Sequence, residues 1–153
     1  MNVPPEILEI GRRLLADREQ NDHCTADPMF VVQKKRRIYG FDTSYCTRTV
    51  WLDSECESTE VPAKRARVLD RRDDRGDKIP PRYERTGYID EWEHVTTYLT
   101  SEAAHAYCEA KAYEGELRVY VDSGCRNHEW KAMQAFFMGL ARELVSVTES
   151  NAA

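Results

Sequence analysis

The spacing of hydrophobic and polar residues predicts a helix at each end of the chain. Ile7, Ile10 and Leu14 recur at helical spacing behind two prolines, so we predict a helix over residues 5–18. A longer helical pattern follows Asn127, whose side chain suits the N-cap position. The apolar stripe of this last helix, which we expect to lie in the core, comprises Trp130, Met133, Phe137, Leu140 and Leu144.

Two strand-like segments lie in the first third of the chain. Residues 29–39 and 48–53 are rich in β-branched and aromatic residues, which favour strands. Gly40 and Asp42, which lie between them, are typical turn residues. The pattern therefore predicts a β-hairpin formed by these two segments.

A second group of elements follows residue 87. Apolar residues within 88–89 and 92–99 predict a third strand. Thr100 and Ser101 are good N-cap residues for a helix over residues 102–113. Residues 117–121 alternate between apolar and polar side chains, which predicts a half-buried strand.

The segment from residue 54 to residue 85 has the weakest folding pattern. It contains three prolines and a run of mixed charges over residues 71–78. Such a composition favours mobile chain, so we predict a flexible charged insertion with one short helix near residues 63–69. Neither flank is self-sufficient, and we therefore expect a single domain over residues 1–153.

The order of these elements predicts the fold class. Helix, hairpin, insertion, strand, helix, strand and helix follow one another, which favours an α+β domain. We expect a mostly antiparallel sheet of about four strands with helices packed on one face. A chain of 153 residues, 41% of them hydrophobic, is large enough to bury the core of such a domain.

Composition narrows the class of protein. The formal net charge of −5 disfavours a protein that coats polyanions, although it permits a local basic patch. The five cysteines are odd in number and include no C-x-x-C pair, so we expect reduced thiols. No apolar run is long enough to cross a bilayer, and the acidic, proline-containing N-terminus does not resemble a secretory signal. We therefore expect a cytoplasmic protein without a membrane partner.

Two histidines share a pattern with a known class of enzyme. His23 and His94 each begin a His-x-Thr tripeptide, and they lie 71 residues apart. In two-histidine phosphoesterases, one such imidazole acts as general base and the other as general acid. His23 lies in a polar linker rather than on a recognisable strand, so we favour incidental histidines and expect no catalytic residue.

A zinc site is the next chemical possibility. Cys125 and His128 have a suitable spacing for one pair of ligands. The other candidate pair, His23 and Cys24, consists of adjacent residues, whose side chains rarely converge on one ion. We therefore expect no metal and no cofactor.

Basic residues form two clusters that could bind a phosphate backbone. The first is Lys34, Lys35, Arg36 and Arg37, of which about two share one face because strand side chains alternate. The second cluster lies in the predicted insertion and comprises Lys64, Arg65, Arg67, Arg71, Arg72 and Arg75. The residues that we predict at a binding surface are Lys34, Lys35, Arg36, Arg37, Arg71, Arg72 and Arg75.

A structural explanation of the same charges remains open. Charged residues on an edge strand prevent unwanted pairing, and the acids Asp70, Asp73, Asp74 and Asp77 dilute the second cluster. Acidic residues also form groups of their own at residues 53–60 and 90–93, which could meet a basic partner or simply lie in solvent.

Four segments of the chain form a distinctive pattern: residues 27–40, 87–93, 118–123 and 126–130. They resemble a group of small proteins encoded by tailed phages and prophages of proteobacteria. The resemblance spans most of the chain outside the insertion, and it implies no catalytic residue. It implies a phage protein, and anti-CRISPR or other counter-defence proteins form a prominent class of short, acidic phage proteins.

The resemblance, the basic clusters and the paired histidines each lead to one expectation about function. The first is a phage accessory protein that inhibits a host protein or ribonucleoprotein by stoichiometric binding, with a CRISPR effector complex as the named candidate. The second is direct nucleic-acid binding in phage DNA metabolism. The third is a phosphodiesterase that uses His23 and His94.

Overall fold

The computed structural model describes residues 3–20 and 25–151, with side chains described up to residue 143. The elements are, in chain order, α1 (Pro5–Gln20), β1 (Pro28–Phe41), β2 (Thr49–Asp53), β3 (Thr59–Glu60), α2 (Ala63–Asp74), β4 (Tyr83–Tyr98), α3 (Ser101–Ala110), β5 (Leu117–Ser123) and α4 (His128–Asn151). Short 3-10 turns at Ser54–Cys56 and Ala112–Glu114 complete the regular structure of the described chain.

The strands of the described chain form one five-stranded sheet. Its order is β3-β2-β4-β1-β5. β1 pairs antiparallel with β5, and β2 pairs antiparallel with β3 and with β4. The predicted α+β class with a mostly antiparallel sheet is confirmed. The sheet has one strand more than we predicted, the two-residue β3, which is too short to leave a period-two pattern in the sequence.

The predicted hairpin of β1 and β2 is wrong, because β4 lies between these strands. The register of β2 pairs Thr49 with Gly87 and Asp53 with Tyr83. The partner of β2 is therefore the first part of β4, which precedes the strand that the sequence predicted at residues 88–89. The prediction paired β1 with β2 because the two strands are consecutive in the chain.

The segment from residue 54 to residue 85 contains more regular structure than the sequence predicted. The short helix is confirmed and extends to Asp74 as α2, and β3 and the start of β4 lie in the same segment. Trp51, Val61 and Leu69 form a buried cluster beneath this segment, with Ala66, Ile79 and Tyr83 packed around it. The predicted mobility of residues 54–85 stays a prediction. Within this segment, α2 packs against the buried cluster through Leu69.

The described chain divides into two compact units. The first unit is Met1–Lys35 with Trp92–Ala153, and the second unit is Arg36–Glu91. β1 and β4 each pass from one unit into the other. The second unit is larger than the insertion that the sequence predicted, and the expected single domain stays a prediction.

The core of the first unit forms between one face of its strands and α3. Phe30, Val32 and Ala104 are fully buried there. The partly buried residues packed against them are Tyr98, Tyr107, Cys108, Leu117, Val119 and Val121. The predicted half-buried strand at residues 117–121 is confirmed, because its odd-numbered side chains join this core.

Thr100 and Asn127 act as the predicted N-caps, whereas Ser101, the other candidate cap, is the first residue of α3. The Thr100 hydroxyl accepts a hydrogen bond from the backbone N–H of Ala103 at 3.4 Å at the start of α3. The Asn127 side-chain oxygen accepts from the backbone N–H of Trp130 at 3.0 Å at the start of α4. Each cap satisfies a donor that the first helical turn leaves without a partner.

The predicted apolar stripe of α4 is only partly buried. Met133 is 39% exposed, while Trp130, Phe137 and Leu140 are half-buried, and the side chain of Leu144 lies outside the described residues. The buried positions are instead Gln134, Met138 and Ala141. Gln134 takes a core position because its side-chain amide donates to the backbone carbonyl of Pro28 at 3.1 Å, which hydropathy alone does not reveal.

α1 packs closely against α4 at a glycine. A Cβ atom on Gly11 would lie 2.3 Å from the carbonyl oxygen of Phe137 and 2.9 Å from the Cβ of Ala141. No side chain fits at these distances, so the helix contact depends on the missing Cβ.

We predict that Gly11→Ala destabilises the protein by about 1–3 kcal/mol, because the added methyl group forces the two helices apart. Gly139→Ala in α4 is the matched control, since a Cβ at Gly139 meets no atom within 4 Å. The control should be stabilising by roughly 0.5–1 kcal/mol, the usual gain for replacing a helical glycine. Urea unfolding monitored by circular dichroism measures both changes, and equal effects of the two substitutions would contradict the close contact.

Candidate functional site

The predicted basic block on β1 is divided between different environments. Lys35 forms an ion pair with Glu116 at 3.0 Å, and Arg37 lies in a network of carboxylates. Lys34 is half-buried, and Arg36 is exposed. Strand alternation therefore separates the block, and at least two of its four cations interact with the protein's own acids.

The Arg37 guanidinium connects three strands of the second unit. Its Nε and Nη2 donate to the two carboxylate oxygens of Asp90 at 2.8 and 3.2 Å, and its Nη1 donates to Glu60 at 2.8 Å. The guanidinium also lies 3.9 Å from the centre of the Tyr88 ring. Asp90 keeps only 9% of its side chain exposed, so this ion pair is largely shielded from water.

The network shifts the pKa values of its members. The hydrogen bond to Asp90 raises the pKa of Arg37 further above its ordinary value, against the opposing effect of burial. Burial and the hydrogen bond to Glu60 raise the pKa of Tyr39 to about 12. Burial alone would raise the pKa of Glu60, but the hydrogen bonds from Tyr39 and Arg37 lower it. Arg37 therefore stays charged and stabilises the strands instead of presenting a free cation.

The inner side of α2 is attached to the second unit by its apolar and acidic residues. Leu69 is buried in the core, and Asp70 accepts a hydrogen bond from the Trp51 indole at 2.8 Å. Asp73 accepts from Arg85 at 3.0 Å. Two of the acids that lie among these basic residues in the sequence are therefore hydrogen-bonded to other side chains of the second unit.

The outer side of α2 carries basic residues. Lys64, Arg67, Arg71 and Arg75 recur at spacings of three and four residues, which places them on one stripe of the helix. We call these four residues the outer basic face of α2, and all four are exposed. Arg65 and Arg72 lie one turn before and after the buried Leu69 and so on its side of the helix: Arg65 lies 5.5 Å from the centre of the Tyr83 ring, and Arg72 is half-buried. The exposed Asp74 follows Arg71 by three residues and lies on the same side as the outer basic face.

Several cations of α2 have no carboxylate partner among the described residues. No described carboxylate contacts Lys64, Arg67 or Arg72, and the Arg71 side chain donates to the backbone carbonyl of Arg67 at 3.2 Å. By contrast, Arg75 forms an ion pair with Asp77 at 2.9 Å. Of the three predicted arginines of this cluster, Arg71 and Arg72 lie on α2, and Arg75 directly follows its last residue. Helical spacing adds Lys64 and Arg67 to the stripe of Arg71, a signal that the sequence contains.

The two acidic groups are not a continuous acidic surface. Asp53 accepts hydrogen bonds from Arg82, which also contacts Glu55 at 2.7 Å. In the second group, Asp90 is committed to Arg37 as described above. The Arg82 hydrogen bonds lower the pKa of Asp53 below its ordinary value of 3.8, against the effect of burial.

The histidine and zinc candidates remain incomplete. His23 and Cys24 lie outside the described residues, so the paired His-x-Thr hypothesis stays a prediction. His94 is exposed, and its ring lies 3.0 Å from the Thr97 hydroxyl. Within residues 3–20 and 25–151, no group of three or more His, Cys, Asp or Glu side chains is placed to hold a metal ion.

A second cluster, on the strands of the first unit, was not predicted. Arg118 lies 4.0 Å from the centre of the Trp92 ring and 5.7 Å from that of Tyr120. The available sequence signal was the alternation of β5, which directs Arg118 and Tyr120 to the side opposite Leu117, Val119 and Val121. The sequence could not show that Trp92 belongs to this cluster, because Arg118 and Tyr120 lie far from it along the chain.

Comparison with known proteins adds no family. No protein-family model, curated protein or solved structure matches the chain. No helix of the described chain is long and apolar enough to cross a membrane.

We predict that Arg37→Met destabilises the protein by about 2 kcal/mol, because it removes both hydrogen bonds that the guanidinium donates to the shielded Asp90. This lies below the range for an isolated buried pair, since Arg48 still lies 3.5 Å from Asp90 and 32% of the Arg37 side chain is exposed. Tyr39→Phe removes one hydrogen bond of the same network and should cost about 1 kcal/mol. Urea unfolding tests the order of the two effects, and a loss for Arg37→Met no larger than for Tyr39→Phe would contradict it.

We also predict an acid-dependent contribution from Asp53. A carboxyl group whose pKa is lowered by folding stabilises the fold above its unfolded pKa and loses that contribution as the pH falls through its folded pKa. The stability difference between the wild type and Asp53→Asn should therefore be constant above about pH 5 and shrink below about pH 4. Thermal unfolding from pH 3 to pH 7 measures it, and a difference that grows on acidification would be the opposite sign.

Proposed function

We propose that this chain is a phage accessory protein that inhibits a host factor by stoichiometric binding, and that the outer basic face of α2 contacts the partner. The observation that carries the proposal is the separation of charge on α2. Asp70 and Asp73 accept hydrogen bonds from Trp51 and Arg85. The outer basic face, by contrast, is exposed on the side of the helix opposite the buried Leu69. Cations that the protein does not neutralise itself are available to a partner.

The attachment of α2 favours recognition. Leu69 is 1% exposed and anchors the helix to the core of the second unit. The positions of the cations are therefore ordered before binding, which reduces the entropy lost on association. The stripe from Lys64 to Arg75 extends over about 16 Å at the helical rise of 1.5 Å per residue. This length allows several simultaneous contacts with an anionic surface.

A ribonucleoprotein effector complex, such as a CRISPR effector, is the partner class that we propose. The resemblance to phage and prophage proteins supports a host target, and a ribonucleoprotein presents phosphates as well as acidic protein surface. A net charge of −5 for the whole chain should limit non-specific coating of nucleic acid, so that binding depends on the local face of α2.

Direct binding to nucleic acid is the second candidate. The absence of described carboxylates around Lys64, Arg67 and Arg72 favours it, because such cations can neutralise phosphates. It predicts an affinity that falls steeply with added salt. It also predicts that the recovered partner disappears when the lysate is treated with nuclease.

The test is capture of partners from host lysate by the tagged protein, with and without nuclease, followed by mass spectrometry. We predict that Arg67→Glu/Arg71→Glu reduces recovery of a nuclease-resistant complex at least about tenfold, since two attractive charges become repulsive. Surface substitutions of this kind should change stability by less than about 1 kcal/mol. A melting temperature close to that of the wild type therefore accompanies the expected loss.

The matched control is Arg126→Glu/Arg142→Glu. Both residues are exposed and lie in the first unit, and the control changes the net charge by the same amount. Recovery should be unchanged with this control. Equal recovery with the α2 variant and the wild type would exclude the outer basic face as the contact surface. Recovery of nucleic acid alone, lost after nuclease, would instead support direct nucleic-acid binding.

A further inference from the structure

One face of the strands in the first unit carries a cluster that packs against no part of the core described above. β1 and β5 pair so that Gln33 lies opposite Arg118 and Val31 opposite Tyr120. Phe30 and Val32 have the alternate parity and point into the core with α3. Arg118 and Tyr120 therefore project from the opposite face of the sheet.

The orientation of Arg118 is determined by three neighbours. Its Nε donates to the side-chain oxygen of Gln33 at 2.9 Å, and its guanidinium lies against the rings of Trp92 and Tyr120. No carboxylate among the described residues contacts this guanidinium. Arg118 is therefore held by neutral groups and keeps its charge available, unlike Lys35 on the same strand pair, which contacts Glu116.

The aromatic members of the cluster remain accessible. Tyr120 is 47% exposed, and Trp92 is half-buried beside the guanidinium. An exposed aromatic ring beside a planar guanidinium offers two flat surfaces and one positive charge within a few ångströms. Strand side chains are rigidly spaced, so this arrangement is formed before any ligand arrives.

We propose that the sheet-face cluster of Trp92, Arg118 and Tyr120 binds single-stranded nucleic acid. Unpaired bases stack on aromatic rings and on arginine guanidinium planes, and the guanidinium edge donates to phosphate. An acidic peptide would satisfy the charge of Arg118 but would leave the aromatic surfaces without a matching group. A duplex is a poorer ligand, because its bases are stacked on one another and do not present their faces.

This site is independent of the proposed function. It lies in the first unit, whereas the outer basic face of α2 lies in the second unit. The two sites also predict different responses to salt. One arginine neutralises about one phosphate, so the logarithm of the affinity for a single strand should fall with the logarithm of salt concentration with a slope near −0.7. Binding through several cations of α2 would give a slope several times steeper.

The experiment measures fluorescence anisotropy of labelled ten-residue oligothymidine and oligouridine between 20 and 200 mM salt. We expect binding with a shallow salt slope, and an affinity for the Tyr120→Ala and Arg118→Ala variants that is at least about fivefold weaker. Tyr120→Phe keeps the ring and should retain the affinity of the wild type. Comparison of the two oligomers distinguishes RNA from DNA as the preferred strand.

Two controls make the result specific. Tyr113→Ala removes another tyrosine of the first unit that is 77% exposed, and it should leave binding unchanged. Arg67→Glu/Arg71→Glu should also leave it nearly unchanged. Three results would each overturn the proposal: no binding of either oligomer at 20 mM salt, equal affinity of Tyr120→Ala and the wild type, or loss confined to the α2 variant. If the alanine variants fold poorly, the salt slope of the wild type still tests the proposal, because a slope several times steeper than about −0.7 would contradict binding through Arg118 alone.

Discussion

Arg37 and the two carboxylates it contacts hold together the strands of the second unit. The guanidinium lies on β1, Asp90 on β4 and Glu60 on β3, so one side chain joins three strands through four charged or hydrogen-bonded contacts. Asp90 is too shielded from water to remain unpaired at low cost. Because Arg37 donates hydrogen bonds to Asp90 and Glu60, its charge is neutralised within the sheet. A surface that binds a partner must therefore use other cations.

The allocation of charge explains where binding is expected. Lys35 and Arg37 interact with Glu116, Asp90 and Glu60, and Arg82 interacts with Asp53 and Glu55. The acids of α2 are used in a similar way, through Asp70 and Asp73. The cations on the outside of α2 therefore outnumber Asp74, the acid of this helix that lies among them, on a chain whose net charge is negative. Arg118 differs from these paired cations, because aromatic rings and an amide contact its guanidinium without neutralising its charge.

Helix packing in the first unit follows from shape as much as from hydropathy. α1 approaches α4 at Gly11, where no Cβ could be accommodated beside Phe137 and Ala141. This approach buries Met138 and Ala141 and leaves Met133 and Phe136 exposed, the latter at 60%. The apolar stripe that helical spacing predicted on α4 therefore does not coincide with the side of the helix that is buried. The buried Gln134 shows the same limit, since its hydrogen bond to the Pro28 carbonyl makes a polar residue suitable for the core.

Local sequence signals were sufficient to predict several elements. They predicted the helix at residues 5–18, the caps at Thr100 and Asn127, the alternating strand at 117–121 and the α+β class, because each depends on residues close together in the chain. The neighbours of the strands could be identified only from the fold. β4 lies between β1 and β2 because strand pairing depends on contacts between distant residues, such as Thr49 with Gly87. The candidate sites also depend on contacts between distant residues. Charged residues that are adjacent in the sequence point to opposite faces of a strand or form ion pairs with distant acids. The fold therefore decides which charges remain available to a partner.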